Sequence, residues 1–118
     1  MKKVMLVDDN VSFLKQLSAI LGDSYDLLLA KSGEMALTIG STGKPDLILL
    51  DIEMPGMNGF ETLKKMKEQP WFGVTPVVFV TGNHDEGTKA EALKLGAMDI
   101  LFKPIDRDVL HSRIELFL

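Results

Sequence analysis

The 118-residue sequence predicts an α/β fold: a doubly wound parallel sheet of five strands in the order 2-1-3-4-5, with five helices on both faces. Three observations predict it. Short apolar runs alternate with longer amphipathic segments from one end of the chain to the other. The short runs are mostly continuously apolar, as strands covered on both faces are. Every pair of runs is separated by enough residues for a right-handed helical crossover, the connection that parallel neighbours require.

Taken in order, Lys3–Val7 is the first strand, and Val11–Leu21 is a helix with Phe13, Leu14, Leu17, Ile20 and Leu21 on one stripe. Tyr25–Ala30 is the second strand. The second helix spans Gly33–Ser41, with Ser32 as its N-cap and Gly43 and Pro45 closing it. Asp46–Leu50 is the third strand, and the helix after Asn58 places Phe60, Leu63 and Met66 at three-residue spacing until Pro70. Val77–Val80 is the fourth strand, followed by a helix from Asp85 to Leu95 that ends at Gly96. Asp99–Phe102 is the fifth strand, and the last helix, from Asp106, presents Leu110, Ile114 and Phe117. This order suits the flavodoxin-like arrangement. With no repeat, linker or low-complexity stretch, residues 1–118 read as one domain.

The totals exclude several classes. A hydrophobic fraction of 46% with 25% charged residues is ordinary for a soluble globular protein. No apolar run approaches the ~20 residues of a membrane helix, and "MKKVMLV" is too short in its apolar part for a secretory signal. No cysteine is present, so disulfides and thiolate chemistry are excluded, which fits a cytoplasmic location. A net charge of −4 argues against direct nucleic-acid binding.

The chemistry gathers at the strand ends. In a parallel sheet all C-terminal ends share one edge, and ligands bind there where the strand order reverses. Asp8 and Asp9 end the first strand, Asp51 the third, Thr81 follows the fourth and Lys103 the fifth. Any one aspartate there could simply cap the next helix, but all these positions together are poorly explained by capping. Two carboxylates 4 Å apart repel by about 4 kcal/mol at an effective dielectric near 20. One lysine is too few to offset three, so a divalent cation is expected. Oxygen-only ligands select a hard ion such as Mg²⁺, which keeps waters and accepts phosphate oxygens. With Lys103 and the Thr81 hydroxyl nearby, these are the parts for phosphoryl transfer onto Asp51 as nucleophile.

So placed, "LVDDN", "LILLDIEMPGMNGFE", "VVFVTG" and "GAMDILFKP" resemble, in order and spacing, the response-regulator receiver domains of two-component signalling. The resemblance covers essentially the whole chain. It implies a signalling switch rather than an enzyme acting on external substrates, with Asp51 as phosphoacceptor, Thr81 as switch hydroxyl and Lys103 as the family's lysine. It further implies that Asp9, Asp51 and the Glu53 main-chain carbonyl ligate Mg²⁺, that Asp8 acts through water, and that Lys103–Pro104 is cis. Glu53 and Asn83 occupy the positions that flank the attacking water and are expected to set the phosphoryl lifetime. Where the family often has Tyr or Phe, three residues before the lysine, this chain has Ile100; coupling is therefore expected to run through Thr81 and the loop before helix 4. The implied partners are a sensor histidine kinase or phosphotransfer protein, with another receiver as a candidate for the surface of helix 4, strand 5 and helix 5.

Two other classes fit the residues less well. A haloacid-dehalogenase-type phosphatase also uses an Asp nucleophile and Mg²⁺, but needs an Asp two residues on, where this chain has Glu53. A flavodoxin-like FMN carrier needs a hydroxyl-rich phosphate loop after strand 1, where this chain has "VDDN". Elsewhere the plain readings are preferred: His84 and His111 as loop and helix-face residues, Trp71 and Phe72 as packing of the "QPWFGVTP" connection, Met54 and Met57 as pocket wall, and "LKKMKE" as a solvated helix face.

Overall fold

The computed structural model describes residues 1–118. Its elements are β1 (Lys3–Val7), α1 (Val11–Leu21), β2 (Asp26–Ala30), α2 (Gly33–Gly43), β3 (Leu47–Asp51), α3 (Gly59–Lys67), β4 (Val77–Thr81), α4 (Glu86–Lys94), β5 (Asp99–Phe102) and α5 (Arg107–Phe117). All strand pairs are parallel, in the order β2-β1-β3-β4-β5, as the flavodoxin-like reading requires.

Each helix begins on a side chain that accepts from its first turn: Asn10, Ser32, Asn58, Asp85 and Asp106. At α3 the Glu61 side chain returns a bond to the Asn58 N–H, completing a capping box. α1, α2, α4 and α5 start within five residues of the preceding strand ends, whereas α3 follows β3 after the longer stretch 52–58. At the other end of α4, Gly96 sits at φ +93°, a conformation that glycine adopts without penalty, and Ala97 N–H closes onto the Ala92 carbonyl.

Two apolar cores sandwich the sheet. One joins Met5, Ile48, Leu50, Phe79 and Ile100 to α2, α3 and α4. The other joins Leu6, Leu49, Val78 and Leu101 to Leu14, Leu17, Leu110 and Ile114 of α1 and α5. The central strands β3 and β4 are buried at every position, and the alternating side chains of each feed both cores. The edge strand β2 departs from the expectation of strands covered on both faces: Asp26 and Leu29 are exposed because no strand lies beyond it. Trp71 and Phe72 pack edge to face, with Phe72 buried and Trp71 against Gly40, so this long connection is held by its own aromatics.

Three boundaries moved in a way that bears on the site. β3 begins and ends one residue later than expected, so Asp51 is still in the ladder, opposite Val80. β4 includes Thr81, opposite Phe102. Both polar side chains are thus fixed by sheet backbone and do not ride on loops. No helix is long and apolar enough to cross a membrane.

Candidate functional site

The sheet brings Asp8, Asp9, Asp51, Thr81 and Lys103 to its C-terminal edge. Carboxylate oxygens of Asp8, Asp9 and Asp51 all lie within 4.8 Å of one another. Asp8 and Asp51 are buried, whereas Asp9 is exposed. The backbone behind Asp51 is held closely: Gly59 N–H donates to the Ile52 carbonyl at 2.8 Å, and a Cβ on Gly59 would collide with the Asp51 carbonyl oxygen. Glycine in "GMNG" is therefore what lets α3 start against the end of β3.

The lysine is shared unequally. Lys103 Nζ donates to Asp8 Oδ2 at 3.0 Å and stands 3.6 Å from Asp51 Oδ1. It also lies 4.4 Å from the centre of the Phe13 ring, a cation–π contact. The other Asp8 oxygen accepts from Asn10 N–H at 2.9 Å. Both Asp8 oxygens are thus engaged, while Asp51 Oδ1 is buried without a hydrogen-bond partner.

Burial pushes the Asp51 carboxyl up to about 7, with the Asp8 charge adding to it, Lys103 opposing, and Glu53 and Asp9 contributing less. Burial pulls the Lys103 ammonium down, but its hydrogen bond to Asp8 and the charges of Asp51 and Asp8 outweigh that and raise it. Burial thus acts in opposite directions on the two groups, while the neighbouring carboxylates raise both. A buried oxygen without a hydrogen bond, beside two further carboxylates and with no nitrogen or sulfur ligand among them, fits a hard divalent cation.

Thr81 is fully buried. Its hydroxyl donates to Glu53 Oε1 at 2.6 Å and accepts from Asn83 N–H at 3.0 Å. The Asn83 side chain bonds Thr88 in α4 and accepts from Asp85 N–H, tying the loop to the helix start. Ile100 is buried in the core shared with α2, α3 and α4. Lys103–Pro104 is cis, as expected.

The family model for the response regulator receiver domain matches residues 4–115. The chain belongs to this family. The receiver is 37% identical over 114 residues to the response regulator PleD of Caulobacter vibrioides, covering 96% of this chain and 25% of that protein. It is 32% identical to the protein PilH of Pseudomonas aeruginosa, covering 100% of this chain and 98% of PilH. Among solved structures, the chemotaxis protein CheY4 of Vibrio cholerae superposes with a TM-score of 0.94 at 32% identity, covering 100% of this chain and 99% of that one. The chain spans about a quarter of the length of PleD and nearly all of PilH. Receivers of two-component response regulators are phosphoryl-accepting signalling domains; they generally bind Mg²⁺ at an acidic pocket and interact with histidine kinases or phosphotransfer proteins.

Three contacts of this receiver escaped the sequence reading: the Glu53 side chain on Thr81, Phe13 against Lys103, and the His84 ring stacked on Phe102 at 4.5 Å between centroids. For the stack a signal existed. Phe102 is the only aromatic in "DILFKP", and strand pairing sets it beside the residue that opens the His84 loop.

Proposed function

We propose that this receiver, spanning residues 1–118, accepts a phosphoryl group on Asp51 from a phosphohistidine of a sensor histidine kinase or phosphotransfer protein. The observation that carries this is the buried Asp51 Oδ1, without a hydrogen bond, inside a cluster of three carboxylates and 3.6 Å from the Lys103 ammonium. An Asp51 carboxylate oxygen attacks the phosphorus; the new O–P bond forms as the N–P bond of the donor breaks, and the electron pair leaves with the imidazole nitrogen. Lys103 moves from Asp8 toward the phosphoryl oxygens, and the Thr81 hydroxyl turns to donate to one of them. Asp9, Asp51 and the Glu53 main-chain carbonyl would hold Mg²⁺, with Asp8 acting through water. When bound, the ion supplies positive charge that offsets both the carboxylates and the phosphoryl oxygens.

Glu53 and Asn83, on either side of Thr81, would govern how long the acyl phosphate lasts by controlling access of the hydrolytic water. The signal would leave through the Thr81–Asp85 loop into α4 and change the surface of α4, β5 and α5, where an output domain or another receiver could bind.

Incubation with acetyl phosphate and Mg²⁺ tests the assignment. Mass spectrometry should find one base-labile phosphoryl group, about 80 Da, on the peptide containing Asp51, and Asp51→Asn should remove it. The same modification on the same peptide in Asp51→Asn would rule Asp51 out.

A further inference from the structure

The Thr81 hydroxyl has one proton to donate, and at rest that proton is already placed. The hydroxyl donates it to Glu53 Oε1 across an oxygen–oxygen distance of 2.6 Å, a short contact of the kind charged acceptors make. Glu53 forms no ion pair with any lysine or arginine, so nothing else in the protein draws its carboxylate elsewhere. The Asn83 N–H holds the hydroxyl oxygen from the other side at 3.0 Å. A phosphoryl oxygen on Asp51 therefore meets a donor that is occupied, and to gain it must displace a carboxylate two residues along the same chain.

We infer that Glu53 is the resting acceptor of the Thr81 hydroxyl, a positioning residue that acts through Thr81 to set the ratio of resting to switched conformations. The inference rests on the phosphoacceptor function proposed above. In the resting state the two oxygens are partners; in the switched state the Glu53 side chain swings free to solvent, which its exposure permits. Removing Glu53 leaves the buried Thr81 hydroxyl without its acceptor in the resting state alone. A charge-assisted hydrogen bond lost from one state only shifts the equilibrium by on the order of tenfold. A ligand that selects the switched state should tighten by the same factor.

The test is a double-mutant cycle read with beryllofluoride, a phosphoryl mimic, at saturating Mg²⁺. NMR titrations of the wild type, Glu53→Ala, Thr81→Ala and the double variant give four apparent affinities. Glu53→Ala should bind the mimic on the order of tenfold more tightly than the wild type, and Glu53→Gln, which keeps an uncharged acceptor, should fall between them. In the Thr81→Ala background, Glu53→Ala should change the affinity little, because the group it acts through is gone. Without the mimic, the Asn83 amide of Glu53→Ala should shift toward its mimic-bound position. An equal gain in both backgrounds would mean that Glu53 merely repels the anion, and the inference would be overturned. No gain in the wild-type background overturns it equally. A wild type that takes up no mimic at all overturns the phosphoacceptor function and the inference together, an outcome the other two cannot imitate.

Discussion

Lys103 is hydrogen-bonded to Asp8 at 3.0 Å and stands farther, at 3.6 Å, from Asp51. The one cation of the cleft is therefore committed mainly to a carboxylate outside the proposed bond-making step. Asp51 is left with burial and neighbouring negative charge, and its carboxyl is raised to about 7. Metal-free, the residue proposed as nucleophile is substantially protonated near neutral pH, and a cation at the cluster favours the ionised form that attacks.

A pH dependence follows. The folded value for Asp51 lies above the unfolded value of 3.8, so between the two the unfolded chain releases a proton that the folded one keeps. Stability from this group is lost as pH rises through that window, and the loss is complete above about 7. In EDTA, denaturant unfolding should give a wild type about 2 kcal/mol less stable at pH 8 than at pH 5.5. Asp51→Asn should flatten that dependence and be the more stable protein at pH 8. A wild type that gains stability from pH 5.5 to 8, with Asp51→Asn following it in parallel, would contradict the raised value.

The metal ligands should separate. Both Asp8 oxygens are engaged, by Lys103 and by Asn10 N–H, whereas Asp9 is exposed with its carboxylate uncommitted. Mg²⁺ titrations followed by melting temperature should show Asp9→Ala losing tenfold or more in affinity, about 1.4 kcal/mol, and Asp8→Ala less. Asp9→Ala should melt higher than the wild type in EDTA, since a repelling charge has gone, whereas Asp8→Ala also loses the bonds from Lys103 and Asn10 N–H and should melt lower. Unchanged Mg²⁺ dependence in Asp9→Ala would remove it from the ligand set.

Coupling to α4 should run through Thr81, with Ile100 taking little part. Ile100 is packed in the core facing α2, α3 and α4, and the aromatic beside Thr81 is Phe102, its partner across β4 and β5. The His84 ring lies on Phe102, so ring-current shifts of His84 report loop movement. Beryllofluoride should displace those shifts in the wild type and in Ile100→Val, a substitution costing about 1 kcal/mol of core packing. Thr81→Ala should still bind the mimic at Asp51 yet lose most of the His84 and α4 response. The reverse pattern, silence in Ile100→Val and a full response in Thr81→Ala, would refute this route.

What the sequence determined by itself was the order of elements and the edge on which the chemistry lies. Those properties are local or topological: apolar periodicity marks each strand and helix, and a parallel sheet sends every strand end to one side, so Asp8, Asp51, Thr81 and Lys103 had to converge. Tertiary structure decided which of them touch. Lys103 reaches across 95 residues to prefer Asp8, and Thr81 across 28 to Glu53. Neither choice is written in spacing, because a difference of 0.6 Å between the 3.0 and 3.6 Å contacts of Lys103 depends on sheet twist, on burial and on the Phe13 ring beside it. The same holds for β2, whose apolar "LLLA" reads as a buried strand but is half exposed. Apolar character is a property of residues, whereas being at an edge is a property of the assembled sheet.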